Sequence, residues 1–155
     1  MKHVFTVACM ALAAAAPIPT TAAAAPAYAT PAQAEQMVAK AVAALRKDSA
    51  KTREAITAKD PAWVQGDLYP VVYSLTGKVL AHGQNPRMVG KELLELRDAD
   101  GKAFIRERMD LAATKASFWQ DYAFVDPVTK SILPKRMYCE RSDDTVVCAG
   151  IYKRR

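Results

Sequence analysis

Histidine and cysteine are scarce in this 155-residue chain, two of the first and three of the second, and each shortage removes a class of chemistry. Past the first ten residues only His82, Cys139 and Cys148 remain, too few for a zinc site, and their spacing resembles none. No Gly-x-Ser-x-Gly elbow occurs, so a hydrolytic triad would have to join His82 to a distant serine such as Ser74 or Ser117. The segment Gly83 to Glu92 resembles a phosphate loop only superficially. Six residues rather than four separate its glycines, and Glu92 stands where Ser or Thr is required. Asp98 and Asp100 lie in a turn, where ordinary turn chemistry competes with calcium binding. Lys and Arg are interleaved with Asp and Glu everywhere except Lys153-Arg154-Arg155. Without a basic stripe carrying aromatics, nucleic acid is not an expected partner. These absences point to a domain without catalysis, metal or cofactor, with a small hydrolase using His82 as a distant alternative.

What is present begins with an N-terminal leader. Lys2 and His3 precede an apolar run, Val4 to Ile18, and an alanine-rich stretch ending Ala27-Tyr28-Ala29, which together describe a secretory signal peptide. Cleavage after Ala29 is preferred, since cutting after Ala25 would leave Pro26 at the first mature position. The run is shorter than the ~20 residues of a membrane span, and Cys9 lies too early for lipid attachment. The expected organisation is a signal peptide at 1–29 and one domain at 30–155, periplasmic or secreted. Net charge is +6, mild and dispersed, which is compatible with small anionic ligands. Cys139 and Cys148 flank Ser142-Asp143-Asp144-Thr145. If Asp143-Asp144 form the turn, the cysteines lie directly opposite as a non-hydrogen-bonded pair with Cα atoms ~4.5 Å apart. An oxidising export route then favours a cross-strand disulfide.

Along the mature chain, Thr30, Pro31 and Gln33 supply a helix start with a capping box. Val38, Ala41, Val42, Leu45, Ser49, Thr52 and Ile56 then recur at helical spacing as far as Asp60-Pro61. One helix over 31–59 would be ~45 Å long, so part of it projects beyond the sheet or bends. Leu68 to Leu93 reads as a hairpin turning at Thr76-Gly77. A two-residue turn there pairs Leu75 with Lys78, Tyr73 with Leu80 and Val71 with His82. That register places Tyr69, Val71, Tyr73, Leu75, Leu80 and His82 on one face. Gly83 to Gly101 is irregular, with a short helical turn expected at 91–96. A second helix follows at Phe104–Lys115, then strands at 118–125, 135–141 and 145–152. Consecutive hairpins predict an α+β layer, a five-stranded antiparallel sheet with helices to one side.

The motifs VLAHG, NPRMVGKEL, the run Asp100 to Phe104, FWQDYAF and PKRMYCERSDDTVVCAGIYK, in that order, resemble the single Cache domain family of extracytoplasmic sensors. The resemblance spans Asp67 to Lys153. It implies a PAS-like fold in which a long N-terminal helix lies behind the sheet, while the other face and its covering loops enclose a small-ligand pocket. Receptors of that family carry membrane helices and an output module. Neither is visible here, so the expectation is a ligand-binding domain whose signal passes to a membrane receptor in trans. A protein-interaction module docking or self-associating through the long helix is the alternative, and the sequence does not set the oligomeric state.

Position by position, the resemblance implies Tyr73, His82, Trp119, Tyr122, Lys135 and Tyr138 as pocket residues. Lys135 would meet a carboxylate, with Tyr122 or Tyr138 donating to its oxygens, so a short organic acid is the expected ligand. Strand alternation complicates the set. Lys135 and Tyr138 point to opposite faces of a regular strand, as do Trp119 and Tyr122, of which Tyr122 fits better beside Phe118 and Phe124. The ordinary alternatives stay open: His82 bonded to nearby backbone, the tyrosines packed in a core, Lys135 and Arg87 solvated.

Overall fold

The computed structural model describes residues 28–153; apart from Tyr28 and Ala29, the expected signal peptide lies outside the described residues. Helix α1, Pro31–Lys47, starts as its sequence predicts. The Gln33 amide donates to Thr30 Oγ1 at 3.3 Å and the Thr30 amide donates to Gln33 Oε1 at 2.8 Å. The single helix expected over 31–59 is broken at Asp48. That residue turns extended (φ −154°, ψ 93°), and its carboxylate accepts the Lys51 amide at 3.0 Å to cap a second helix, α2, Ser49–Thr57. A short acidic side chain offers the backbone an alternative to continuing the helix. The break lets α1 lie along the far side of the sheet while α2 turns onto its other end.

The sheet comprises β1 (Pro70–Ser74), β2 (Val79–His82), β3 (Ser117–Val125), β4 (Ile132–Ser142) and β5 (Thr145–Tyr152). All pairs are antiparallel, in the order β2-β1-β5-β4-β3. β4 starts before the expected Lys135, because Pro134 keeps its carbonyl in the ladder and accepts the Lys153 amide at 2.8 Å. The first hairpin matches its expected register at Val71 and His82 but not near the turn, where Tyr73 faces Val79. The loop takes three residues, Leu75-Thr76-Gly77, with Gly77 at φ +81°. Leu80 is the extra residue of a bulge, and the two irregularities cancel. Val79 therefore replaces Leu80 beside Tyr73, Leu80 packs on the side of α1 and α2, and Leu75 is exposed. The helical turn expected at 91–96 is instead a 3-10 turn at Pro86–Met88, where Pro86 supplies the helix-like φ and Asn85 accepts the Arg87 amide.

Helices lie on both faces of the sheet, a correction to the one-sided layer. β5 shows why: Val146 and Cys148 face one core while Val147 and Ala149 face the other, all buried. A strand covered on both faces reads as a continuous apolar run rather than an alternating one. α1, Ile56 and Trp63 close one side. Helix α3, Phe104–Thr114, together with Met88, Leu93, Leu94 and Leu96 from the irregular segment, closes the other. Cys139 and Cys148 are directly opposite and disulfide-bonded, with Cα atoms 4.1 Å apart.

The disulfide closes a short loop, so by chain entropy it contributes about 2–3 kcal/mol. The double variant Cys139→Ala/Cys148→Ala should stay folded and lose about that much stability in urea denaturation; unfolding outright would show that the sheet depends on the bond.

Candidate functional site

Phe104, Arg108 and Ala112 are four residues apart on α3, so an arginine lies in the stripe that faces the core. Arg108 is completely buried. Its Nη1 donates to Tyr73 Oη at 2.8 Å and its Nε to Gln120 Oε1 at 3.0 Å. Gln120 is held in turn, its amide donating to the Phe104 carbonyl and to Glu107. The guanidinium carbon sits 5.1 Å from the Tyr73 and Tyr122 ring centres and 5.5 Å from that of Phe104. Nη2 is buried with no hydrogen-bond partner among the described residues. A buried charged donor left unpaired costs more than a lost neutral bond, and it points at the chemistry of an anion.

Lys135 is the second buried cation, 1% exposed, on β4 opposite Tyr122 of β3 and Tyr152 of β5. Its Nζ donates to Tyr69 Oη at 2.9 Å and to Tyr152 Oη at 3.2 Å, lying over both rings. Tyr152 gives its only proton to the Val125 carbonyl at 2.7 Å, so across the 3.3 Å contact between the two phenols Tyr69 is the donor. The lysine stem crosses β5 where there is no side chain: a Cβ on Gly150 would sit 2.7 Å from Lys135 Cε. Burial, and then the charge of Arg108, lower the Lys135 pKa to about 7, with Asp67 and Asp126 pulling it back up.

His82 closes one end of this cluster. Its ring stacks on Tyr69 at 5.3 Å, and its Nδ1 accepts the amides of Gln84 at 3.1 Å and Asn85 at 3.0 Å. An accepting Nδ1 leaves the proton on Nε2. Burial, and then the Lys135 charge, depress its pKa to about 3, so the ring stays neutral. Burial also raises the phenols of Tyr69, Tyr73, Tyr122 and Tyr152 above their ordinary value. The cluster thus sets two basic side chains, Arg108 and Lys135, among neutral phenols, an arrangement suited to receiving an anion. A groove of about 430 Å³ is lined by Asp98, Lys102, Tyr122, Pro134, Lys135 and Lys153, so it borders the Lys135 and Tyr122 end of the cluster and not Arg108. Its outer wall is pinned to the sheet by Asp98, whose Oδ2 accepts the Ala123 amide at 3.0 Å.

Of the six residues expected in a pocket, Tyr73, His82, Tyr122 and Lys135 meet on the α3 face. Trp119 and Tyr138 do not: they oppose each other across β3 and β4, rings 5.2 Å apart, and pack on the α1 side. Alternation from Tyr122 and Lys135 requires that placement. His82 takes its backbone-bonded reading and still touches the cluster through Tyr69. Arg87 is exposed. Sequence reasoning missed Arg108, Gln120 and Tyr152. The signal for Arg108 was its place one turn from both Phe104 and Ala112.

A family model described as single Cache domain 2 matches residues 23–153. Among solved structures the chain is similar to a methyl-accepting chemotaxis protein from Vibrio parahaemolyticus RIMD 2210633, with a TM-score of 0.68 and 22% identity, covering 78% of this chain and 86% of that one. A periplasmic sensor domain of a chemotaxis protein gives 0.62 and 23%, over 79% and 90%. A structure titled for carboxylic acid recognition by a Cache chemosensory domain gives 0.66 and 17%, over 79% and 92%. At these identities the likeness establishes the fold alone. No curated protein matches the sequence.

The His82 shift fixes a pH dependence. Between its ordinary 6.5 and about 3 the unfolded chain binds a proton that the folded chain does not, so stability falls as pH drops below 6.5. The slope should approach roughly 1.4 kcal/mol per pH unit. Asp98 and Glu107, where hydrogen bonds outweigh the opposing effect of burial, lie below their ordinary values and titrate only in stronger acid. His82→Asn keeps an acceptor for the two amides and cannot titrate. Lys135, at about 7, adds a slope of the same sign that fades below pH 7, so urea titrations from pH 6 to 5 should show a much steeper fall in the parent chain than in the variant; equal slopes would remove His82 as its source.

Proposed function

The chain belongs to the single Cache domain family, whose members are extracytoplasmic sensor domains, and on that footing we propose that it binds a short carboxylate without turning it over. The observation that carries this reading is the buried, unpartnered Nη2 of Arg108. A planar fork with a free donor suits a carboxylate better than any neutral group. Lys135 supplies a second cation, and Tyr73, whose oxygen accepts from Arg108, has its own proton to give to a ligand oxygen. The tight aromatic packing around both cations favours small acids. The domain division we adopt is a leader at 1–29 that exports the chain and a ligand-binding domain at 30–155, passing its state to a membrane receptor in trans.

Docking through the apolar side of the N-terminal helix is the less favoured reading. Met37, Val38, Ala41 and Val42 are already buried against the sheet. Among the described residues, no helix is long and apolar enough to cross a membrane.

A thermal-shift screen of acetate, propionate, lactate, pyruvate and succinate should raise the melting temperature with at least one of them, since a ligand bound only by the folded state stabilises by mass action. Arg108→Met removes a buried charge but leaves the buried Gln120 Oε1 without its donor, which costs about 1–3 kcal/mol, so the variant should stay folded with no large gain in stability. The same variant should lose the ligand response. Silence across the panel, or an undiminished response in Arg108→Met, would remove the proposal's basis.

A further inference from the structure

The two buried cations differ in one respect that matters to a ligand. A guanidinium cannot shed its proton in a protein, whereas a buried ammonium can. Lys135 Nζ has phenol oxygens as its hydrogen-bond acceptors, at 2.9 and 3.2 Å. It also shares its aromatic lining with Arg108. The guanidinium lies over Phe104 and Tyr122, the ammonium lies 5.8 Å from Phe124, and Phe124 is 5.9 Å from both of the other rings. Two like charges on one aromatic trio, both out of water, disfavour each other, and the group that can neutralise yields. A carboxylate placed against them reverses that balance.

Taking the carboxylate reading as its basis, we infer that the site takes up a proton together with its anion: Lys135 is partly neutral without an anion and fully protonated with one. The bound pair is then equivalent to the undissociated acid, although the proton sits on the protein. Affinity for short carboxylates rises as the surroundings acidify, so the domain reads weak acid and acidity together.

Among the described residues, the phenols, imidazole and guanidinium around Lys135 keep their protonation state near neutrality. Tyr69, ahead of β1, Tyr73 of β1, Tyr122 of β3 and Tyr152 of β5 are phenols raised by burial. His82 of β2 is held neutral by its depressed pKa of about 3. Arg108 of α3 is fixed in charge, and Asp67 and Asp126 favour the charged lysine without replacing its phenol partners. Lys102, Lys153, Asp98 and Asp121 stand at the groove. The lysine pKa of about 7 agrees with the geometry.

The test is calorimetric titration of the purified chain with acetate, propionate and pyruvate at pH 6, 7, 8 and 9, each in two buffers of different ionisation enthalpy. The expected result is a Kd that rises toward tenfold per pH unit above about 7, the fold-change that one linked proton requires, with nearly one proton taken up per anion at pH 8 to 9. Lys135→Met should bind more weakly, with a Kd that is flat across the range and no proton uptake. If the anion brought its own proton, that variant would keep the pH dependence, which overturns the inference. Binding by the parent chain that is equally tight at every pH and independent of buffer overturns it while leaving the carboxylate reading intact. No binding by any of the three acids at pH 6 overturns both. Should Lys135→Met fail to fold, the parent titration decides alone.

Discussion

Moving an ammonium or a guanidinium out of water costs several kcal/mol even after a protein relaxes around it, and this domain does so twice on one face of its sheet. Among the described residues, neither charge is hydrogen-bonded to a carboxylate. Arg108 leans on Tyr73, Gln120 and three ring faces, and Lys135 on two phenols and their rings. Much of the surrounding sequence follows from that arrangement. Gly150 leaves the slot through which the lysine stem passes, Gln120 braces the guanidinium against the start of α3, and Tyr152 ties the lysine to the end of β3. Phenols suit this role because burial keeps them protonated: they solvate a cation without cancelling its charge, so a field remains for an anion.

The fold separates stability from recognition by using the two faces of one sheet. On the side of α1 and α2 the core is aliphatic, with Val38, Ala41, Ile56, Val72 and Val147 excluded from water. On the other side α3 brings in Arg108, and a long irregular segment supplies leucines and a carboxylate pinned to the β3 edge. The disulfide between neighbouring strands faces this second core, where it holds β4 against β5 beneath the site. The strands thus position Lys135, Tyr122 and Tyr152, while the covering helix contributes Arg108.

The strands, the α3 boundaries, the capping box and the cysteine pairing were legible because each has a local signature: alternation, helical spacing, turn residues at fixed offsets. The helix break at Asp48 and the bulge at Leu80 were not, since each answers a demand made by distant packing rather than by neighbours in sequence. The site was legible in part for the same reason. Lys135 and Tyr122 follow from strand parity once a family resemblance points to them, and the parity that brings them together removes Trp119 and Tyr138. Arg108 lay among apolar residues at helical spacing, where an arginine reads as a solvated charge until the opposite wall of the core is known. Tyr152, near the chain end, becomes informative only when β5 is seen to pair with β4.

The central claim is that Arg108 Nη2 is the contact point for a carboxylate. The most direct test is a high-resolution crystal structure of the protein purified from its own host or grown with propionate. The account predicts carboxylate density within hydrogen-bond distance of Arg108 Nη2, enclosed by Tyr73, Tyr122 and Lys135. A carboxylate bound elsewhere, with Nη2 satisfied by a protein group or a water, would contradict it.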